Sequence, residues 1–255
     1  MSVRKLEINI SKANLLSLGL LVVVAGVLVP IYYWIWGTIS IDNSFFVEFV
    51  RWALDYFNIV VGSIVAILCG AIMPVLSITL LLFIPHELIH GITWMIVAKC
   101  KWSDIKFGVM WKKFCTPYCH CKISMTVSQY RLALLMPFFV LGVLPTLLSL
   151  VVGSSLLLFY GILGIVGAMG DIMMTTLAIR LPKDTKYIDY NNDIGAYFIS
   201  KEDISHMKTI GFKCVKSGEH TLDNVDHSIK KIYISKGSII YLLIFIAIIL
   251  IDILL

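Results

Sequence analysis

The sequence predicts an all-α polytopic membrane protein, with about five transmembrane helices and an interfacial or re-entrant helix. A small cytoplasmic β-hairpin and a short α+β tail complete the fold class. Three observations lead there. The 255 residues are 59% hydrophobic, and the mean hydropathy of +0.90 belongs to membrane chains rather than soluble globules. The apolar residues come in uncharged runs long enough to cross a bilayer. The lysines and arginines gather in a few loops, a pattern that orients membrane proteins. The net charge of +5 is therefore read as orientation, and no nucleic-acid partner is expected. Six cysteines in a chain of this size do not make a disulfide framework.

Residues 1–13 carry Arg4, Lys5 and Lys12 against Glu7, a basic flank that places the N-terminus in the cytoplasm. Residues 14–36 hold no charge and form the first span; the run is too long for a signal-peptide core and reads as a retained anchor. Tyr32, Tyr33, Trp34 and Trp36 form an aromatic belt at its far end. Around Phe45 to Ala53 the pattern suggests a helix lying in the interface. Residues 57–98 are apolar except for His86, Glu87 and His90. As one helix this run would be roughly 60 Å long, too much for one crossing. Pro74 and Pro85 are the natural breaks. Residues 57–73 then form the interfacial or re-entrant helix, with a separate full span as the alternative, and residues 75–98 form the crossing. Pro85 cannot donate to the carbonyl four residues back, so the helix should loosen there.

Residues 99–130 are rich in lysine and lie on the cytoplasmic side. Within them, 106–111 and 120–125 read as two strands around a Thr116-Pro117 turn signal. Such a hairpin either caps the helices or offers its edge to an extended peptide. The third span covers 132–151 and is interrupted by Pro137 and Pro145; the fourth covers 156–179. Residues 181–237 are polar and too short for a substantial core of their own. Strands are expected there at 186–190, 196–199 and 231–235, with a helix from Ser200 through His206. Residues 238–255 form the fifth span, with Asp252 at the interface. The chain thus divides into a membrane-embedded domain over 1–180, a cytoplasmic tail over 181–237 and a C-terminal transmembrane helix over 238–255.

The chemistry concentrates in Pro85-His86-Glu87-Leu88-Ile89-His90-Gly91, an H-E-x-x-H stretch inside an apolar run. Histidines four apart share one helix face and can offer ring nitrogens to one Zn²⁺. Glu87 is then placed as general base. Three ionisable groups within five residues of an apolar helix need a partner or a job. A catalytic zinc usually keeps three protein ligands, and position 96, where a longer soluble pattern carries a third histidine, is Ile. Asp171 is the one charged residue within 132–179. It precedes Arg180 by nine residues, as His90 precedes Lys99, so both lie roughly 13 Å along a helix from the same membrane face. Gly164, Gly167 and Ala168 share its helix face and permit close approach, and Thr175 is one turn on as a supporting donor. His86, His90 and Asp171 are the expected ligands. Cys115, Cys119, His120 and Cys121 form a competing C-x₃-C-H-C cluster. Hairpin packing is the preferred reading there, with structural zinc as the alternative. His206, His220 and His227 are expected to be solvated.

These residues resemble a bacterial family of membrane zincin peptidases over roughly residues 75–200. The resemblance rests on the H-E-x-x-H helix, Tyr118-Cys119-His120-Cys121-Lys122, Tyr130-Arg131, Leu135-Met136-Pro137, Gly142-Val143-Leu144-Pro145, Gly170-Asp171-Ile172, Asp189 and Gly195. The family is similar in plan to the site-2 proteases, which bind zinc through an H-E-x-x-H helix and an aspartate on a later span. In those enzymes the aspartate stands in a Leu-Asp-Gly context, whereas here the order is Gly170-Asp171. The resemblance implies a zincin-like domain over 1–180 and a peptidase of the bacterial plasma membrane. It would act on membrane proteins or peptides with Zn²⁺ as cofactor. Two other functions stay open on the residues alone: a non-catalytic zinc-binding scaffold or regulator, and a metal transporter. The lack of inverted repeats speaks against the transporter.

Overall fold

A computed structural model describes residues 2–8, 10–40, 77–110, 116–183, 185–189, 195–200 and 212–216, with scattered helical residues between 48 and 65. It is mostly helical, with two small antiparallel sheets. Strand β1 is Ser2–Ile8 and helix α1 is Ile10–Trp36. A π-helical segment, Thr79–Phe83, leads into α2, Ile84–Val97. The hairpin is β2, Ile105–Met110, paired with β3, Thr116–Cys121. Strand β4, Met125–Thr126, runs directly into α3, Val127–Pro137. A second π segment, Phe138–Val143, continues into α4, Leu144–Val152. Helices α5, Ser155–Gly167, and α6, Met169–Ile179, follow. Strands β5, Lys186–Asp189, β6, Gly195–Ser200, and β7, Phe212–Lys216, close the described chain.

Three of these stretches are long and apolar enough to cross a membrane: Lys12–Trp36, Leu80–Val97 and Val127–Val152. A fourth forms if Ser155–Gly167 and Met169–Ile179, bent by 44°, count as one broken span. The expected fifth span at 238–255, the strand at 231–235 and the helix at 200–206 lie outside the described residues, as do nearly all of 41–76. On either side of that last gap, Ser40 N donates to Ser155 Oγ at 3.2 Å and Tyr160 donates to Ser77 Oγ at 2.8 Å. The chain therefore leaves and re-enters the bundle beside the same stretch of α5.

Proline explains both π segments. Pro85 has no N–H for the carbonyl four residues back, and the turn just before it widens to i→i+5 pairing. The loosening expected beside the motif is present. Pro137 and Pro145 bracket the second π segment, so the third span is widened but continuous, where interruption was expected.

The sheets depart further from expectation. The larger has five strands in the order β4-β5-β6-β1-β7. The basic N-terminal flank is in fact its fourth strand, with Val3 opposite Ile199 and Leu6 opposite both Ala196 and Cys214. β7 falls where no strand was expected. In the hairpin, β3 starts four residues earlier than expected, and Pro117 sits inside the strand opposite Val109. Proline is tolerated there because, among the described residues, β3 pairs with β2 alone, and an edge strand can do without one N–H. The expected second strand at 120–125 splits between β3 and β4, and β4 pairs with β5 instead.

One core joins α2, the hairpin, α3, α6 and the larger sheet through Trp94, Cys121, Tyr130, Ala133, Leu177 and Phe198. Tyr130 stacks on Tyr187 with centroids 3.5 Å apart, which seats the sheet on α3. A second cluster packs α1 against α5 through Tyr32, Leu158, Ile162 and Val166. Of the aromatic belt, Tyr32 is buried and its hydroxyl accepts from Ser155 Oγ at 3.1 Å, and Trp36 Nε1 donates to Leu150 O at 3.1 Å. Trp34 is 85% exposed, as a lipid- or interface-facing ring would be.

Candidate metal centre

Helix α2 carries His86 and His90 one turn apart, with the rings edge to face at 4.8 Å. Helix α6 carries Asp171 in its first turn. The bend at Ala168 separates Asp171 from Gly164 and Gly167, so the three do not stand on one straight helix face as expected. Between α2 and α6 lies α3, which packs against both. Its N-terminus is fixed by a capping box, Thr126 with Gln129.

The three side chains meet. His86 Nε2 lies 3.0 Å from Asp171 Oδ2, His90 Nε2 lies 3.5 Å from Asp171 Oδ1, and the two Nε2 atoms are 3.1 Å apart. His90 Nδ1 is 2.9 Å from the Ala133 carbonyl, which can only accept. A proton therefore sits on Nδ1, and in the neutral ring Nε2 presents its lone pair to the cluster. On the other side His90 stacks on Trp94, with centroids 5.8 Å apart.

This set fits a divalent cation. A tetrahedral ion with ligands at about 2.0–2.1 Å needs donor atoms about 3.3–3.4 Å apart; the two Nε2 atoms lie 3.1 Å apart, and each has one oxygen of the Asp171 carboxylate at 3.0 or 3.5 Å. A proton on His86 Nε2 would satisfy one of those edges, whereas a cation satisfies all three. Two nitrogens and a carboxylate oxygen are also a donor set that zinc accepts. Among the described residues, His86, His90 and Asp171 form the one group that could hold a metal ion.

Glu87 stands outside that group but within electrostatic reach of all three members, and the Cys119 backbone amide donates to its carboxylate. Strand β3 can approach α2 this closely because residue 91 is glycine. A Cβ there would meet Phe107 Cζ at 2.8 Å and Cys119 Sγ at 3.3 Å. Cys119 and Cys121 are buried in the core, as hairpin packing requires, while Cys115 lies outside the described residues. His120 is buried in β3, and His206, His220 and His227 lie outside the described residues. Thr175 is buried one turn beyond Asp171, with no hydrogen-bond partner for its hydroxyl among the described residues.

The Ala133 carbonyl and the Cys119 amide went unforeseen because backbone atoms leave no mark in a residue pattern. Gly91 was the available signal, a small residue directly after the second histidine.

Apolar helices gathered around an H-E-x-x-H helix and a His-His-Asp group define a multi-pass membrane protein with a potential metal centre. Residues 79–186 match the model of the family described as "Putative zincin peptidase". The match runs from the π segment before α2 to the first residue of β5, and the resemblance seen in the motifs holds over it; Asp189 and Gly195 fall beyond it. No curated protein and no solved structure matches the chain.

Proposed function

We propose that this protein is a membrane-embedded zinc metallopeptidase that hydrolyses peptide bonds of membrane or membrane-proximal proteins. His86, His90 and Asp171 hold the ion, and Glu87 is the catalytic residue. The convergence of three ligand atoms from two helices, all within 4.8 Å of one another, carries this reading. Bound there, Zn²⁺ would supply Lewis-acid polarisation and make water nucleophilic near neutral pH.

The chain's own groups do the rest. The Ala133 carbonyl fixes the His90 tautomer, so that Nε2 remains the donor atom. Glu87 accepts the proton from the attacking water and passes it to the departing amine. The Cys119 amide holds the Glu87 carboxylate in place from the hairpin side. His86 and Asp171 each keep 17% side-chain exposure, which leaves water a way in. The hairpin touches the motif helix next to the base, a position from which it would align an extended substrate. β1, β4, β5 and β6 lie in one sheet, so the N-terminus shares a side with the lysine-rich loop. On the charge rule that side is cytoplasmic.

The test is hydrolysis of a membrane-protein library by the purified protein in lipid nanodiscs, with mass spectrometry of the new termini. Glu87→Gln is the control. New termini that require Glu87 support the reading. Identical termini with both proteins remove Glu87 from this role. Stoichiometric zinc with no new termini would favour a non-catalytic zinc-binding scaffold.

A further inference from the structure

Gln129 lies on α3 one turn before Ala133, and its side chain makes two different connections. Its Oε1 accepts from Thr126 N at 2.9 Å and from Thr126 Oγ1 at 3.0 Å, closing the cap of α3. Its Nε2 donates at 2.7 Å to Val97 O, the last residue of α2. The final carbonyls of a helix have no partner within it, and here one is taken by a residue of the neighbouring helix. One α3 turn further on, the Ala133 carbonyl accepts from His90 Nδ1. Residues 129 and 133 share a face of α3. That face therefore grips α2 at two points, one at its end and one at the histidine.

The geometry points to Gln129 as a positioning residue for His90, one that holds α2 in register with the Ala133 carbonyl. The importance of this position to metal binding rests on the metallopeptidase reading; the mechanical link to the ring does not. Without the clamp at Val97, the α2 end is free to slide along α3, and the His90 Nδ1 bond is the first contact it strains. Thr126 also belongs to β4, so the same amide ties the five-stranded sheet to the end of the motif helix.

Two variants separate capping from clamping. Gln129→Glu keeps an acceptor for Thr126, since glutamate is a natural capping-box partner, but cannot donate to Val97 O. Thr126→Ala removes the cap hydroxyl and leaves the donor. The readout is the His90 ring Nδ1–H resonance in metal-free, ¹⁵N-histidine-labelled protein in nanodiscs, assigned by its loss in His90→Ala. The expected result is a slowly exchanging resonance in wild type and Thr126→Ala, lost to exchange in Gln129→Glu. Retention of that resonance in Gln129→Glu, or equal loss in Thr126→Ala, overturns the inference. Zinc affinity is measured alongside, with about a tenfold loss expected in Gln129→Glu, the low end for an outer partner of a ligand. If wild type binds no zinc, the metallopeptidase reading fails while the resonance still decides the role of Gln129.

Discussion

His90 is held by Ala133 through a backbone carbonyl 2.9 Å from Nδ1, so the hydrogen bond that orients this ring is set by the path of α3. Direct tests of the ion must therefore fall on the ligands. Wild-type protein is expected to bind one zinc per chain. His86→Ala, His90→Ala and Asp171→Asn should each weaken binding by more than the about 10- to 100-fold typical of losing an outer partner. Asparagine keeps the shape of Asp171 and removes its charge, which makes it the most telling of the three. Metal titration with a competing chelator reads the result, and unchanged affinity in Asp171→Asn would require another residue to complete the site.

Glu87 should behave differently. It lies outside the ligand group, so Glu87→Gln is expected to keep zinc stoichiometry and affinity. Turnover should fall by about 10²- to 10⁴-fold, the usual contribution of a positioned proton-transfer group. Measuring zinc content and peptide release on the same preparation separates the two effects. Loss of the metal in this variant would make Glu87 a ligand.

The residues of the site were legible in the sequence for one reason: charge inside an apolar run is costly, so His86, Glu87, His90 and Asp171 stood out against their surroundings. Pro85 was legible too, because a missing N–H acts locally. The failures are non-local. β1 pairs with strands nearly the whole described chain away, and its mixed residues, Ser2 to Ile8, show no clean alternation. The start of β3 depends on its register against β2, and Pro117 reads as a turn to any local rule. The bend at Ala168 was hidden because face-sharing arguments assume a straight helix, and Gly167 and Ala168 at the break were read as contact residues instead.

Gly91 sets how close the hairpin comes to the motif helix. Gly91→Val should cost about 1–3 kcal/mol by overpacking, since its Cβ would press on Phe107 Cζ, Cys119 Sγ and Ile105 Cγ2. Phe107 is the nearest of these and is 43% exposed, so its ring can be removed with little other damage. In a double-mutant cycle, Phe107→Ala should recover part of the cost of Gly91→Val. Denaturation in mixed micelles measures stability, and Gly91→Val should also lower peptidase activity, because the Cys119 amide that holds Glu87 moves with the strand. Strict additivity of the two substitutions would mean that the hairpin does not rest on this contact.

Gly164 and Gly167 stand three apart on α5 and look equivalent as small residues, yet they face different surroundings. A Cβ at Gly164 would run into the backbone carbonyl of Leu141, which cannot turn aside as a side chain can. At Gly167 nothing lies within 4 Å. Gly164→Ala should therefore force α5 away from the second π segment and destabilise the bundle by about 1–3 kcal/mol, as overpacking does. Gly167→Ala should be neutral or stabilising by up to about 1 kcal/mol, because alanine restricts the unfolded chain and favours helix. The first substitution should also weaken zinc binding, since α5 leads through the bend into the helix that carries Asp171. The second should leave it unchanged. Equal effects of the two substitutions on stability and on zinc affinity would show that the close approach of α5 at Leu141 does not position α6.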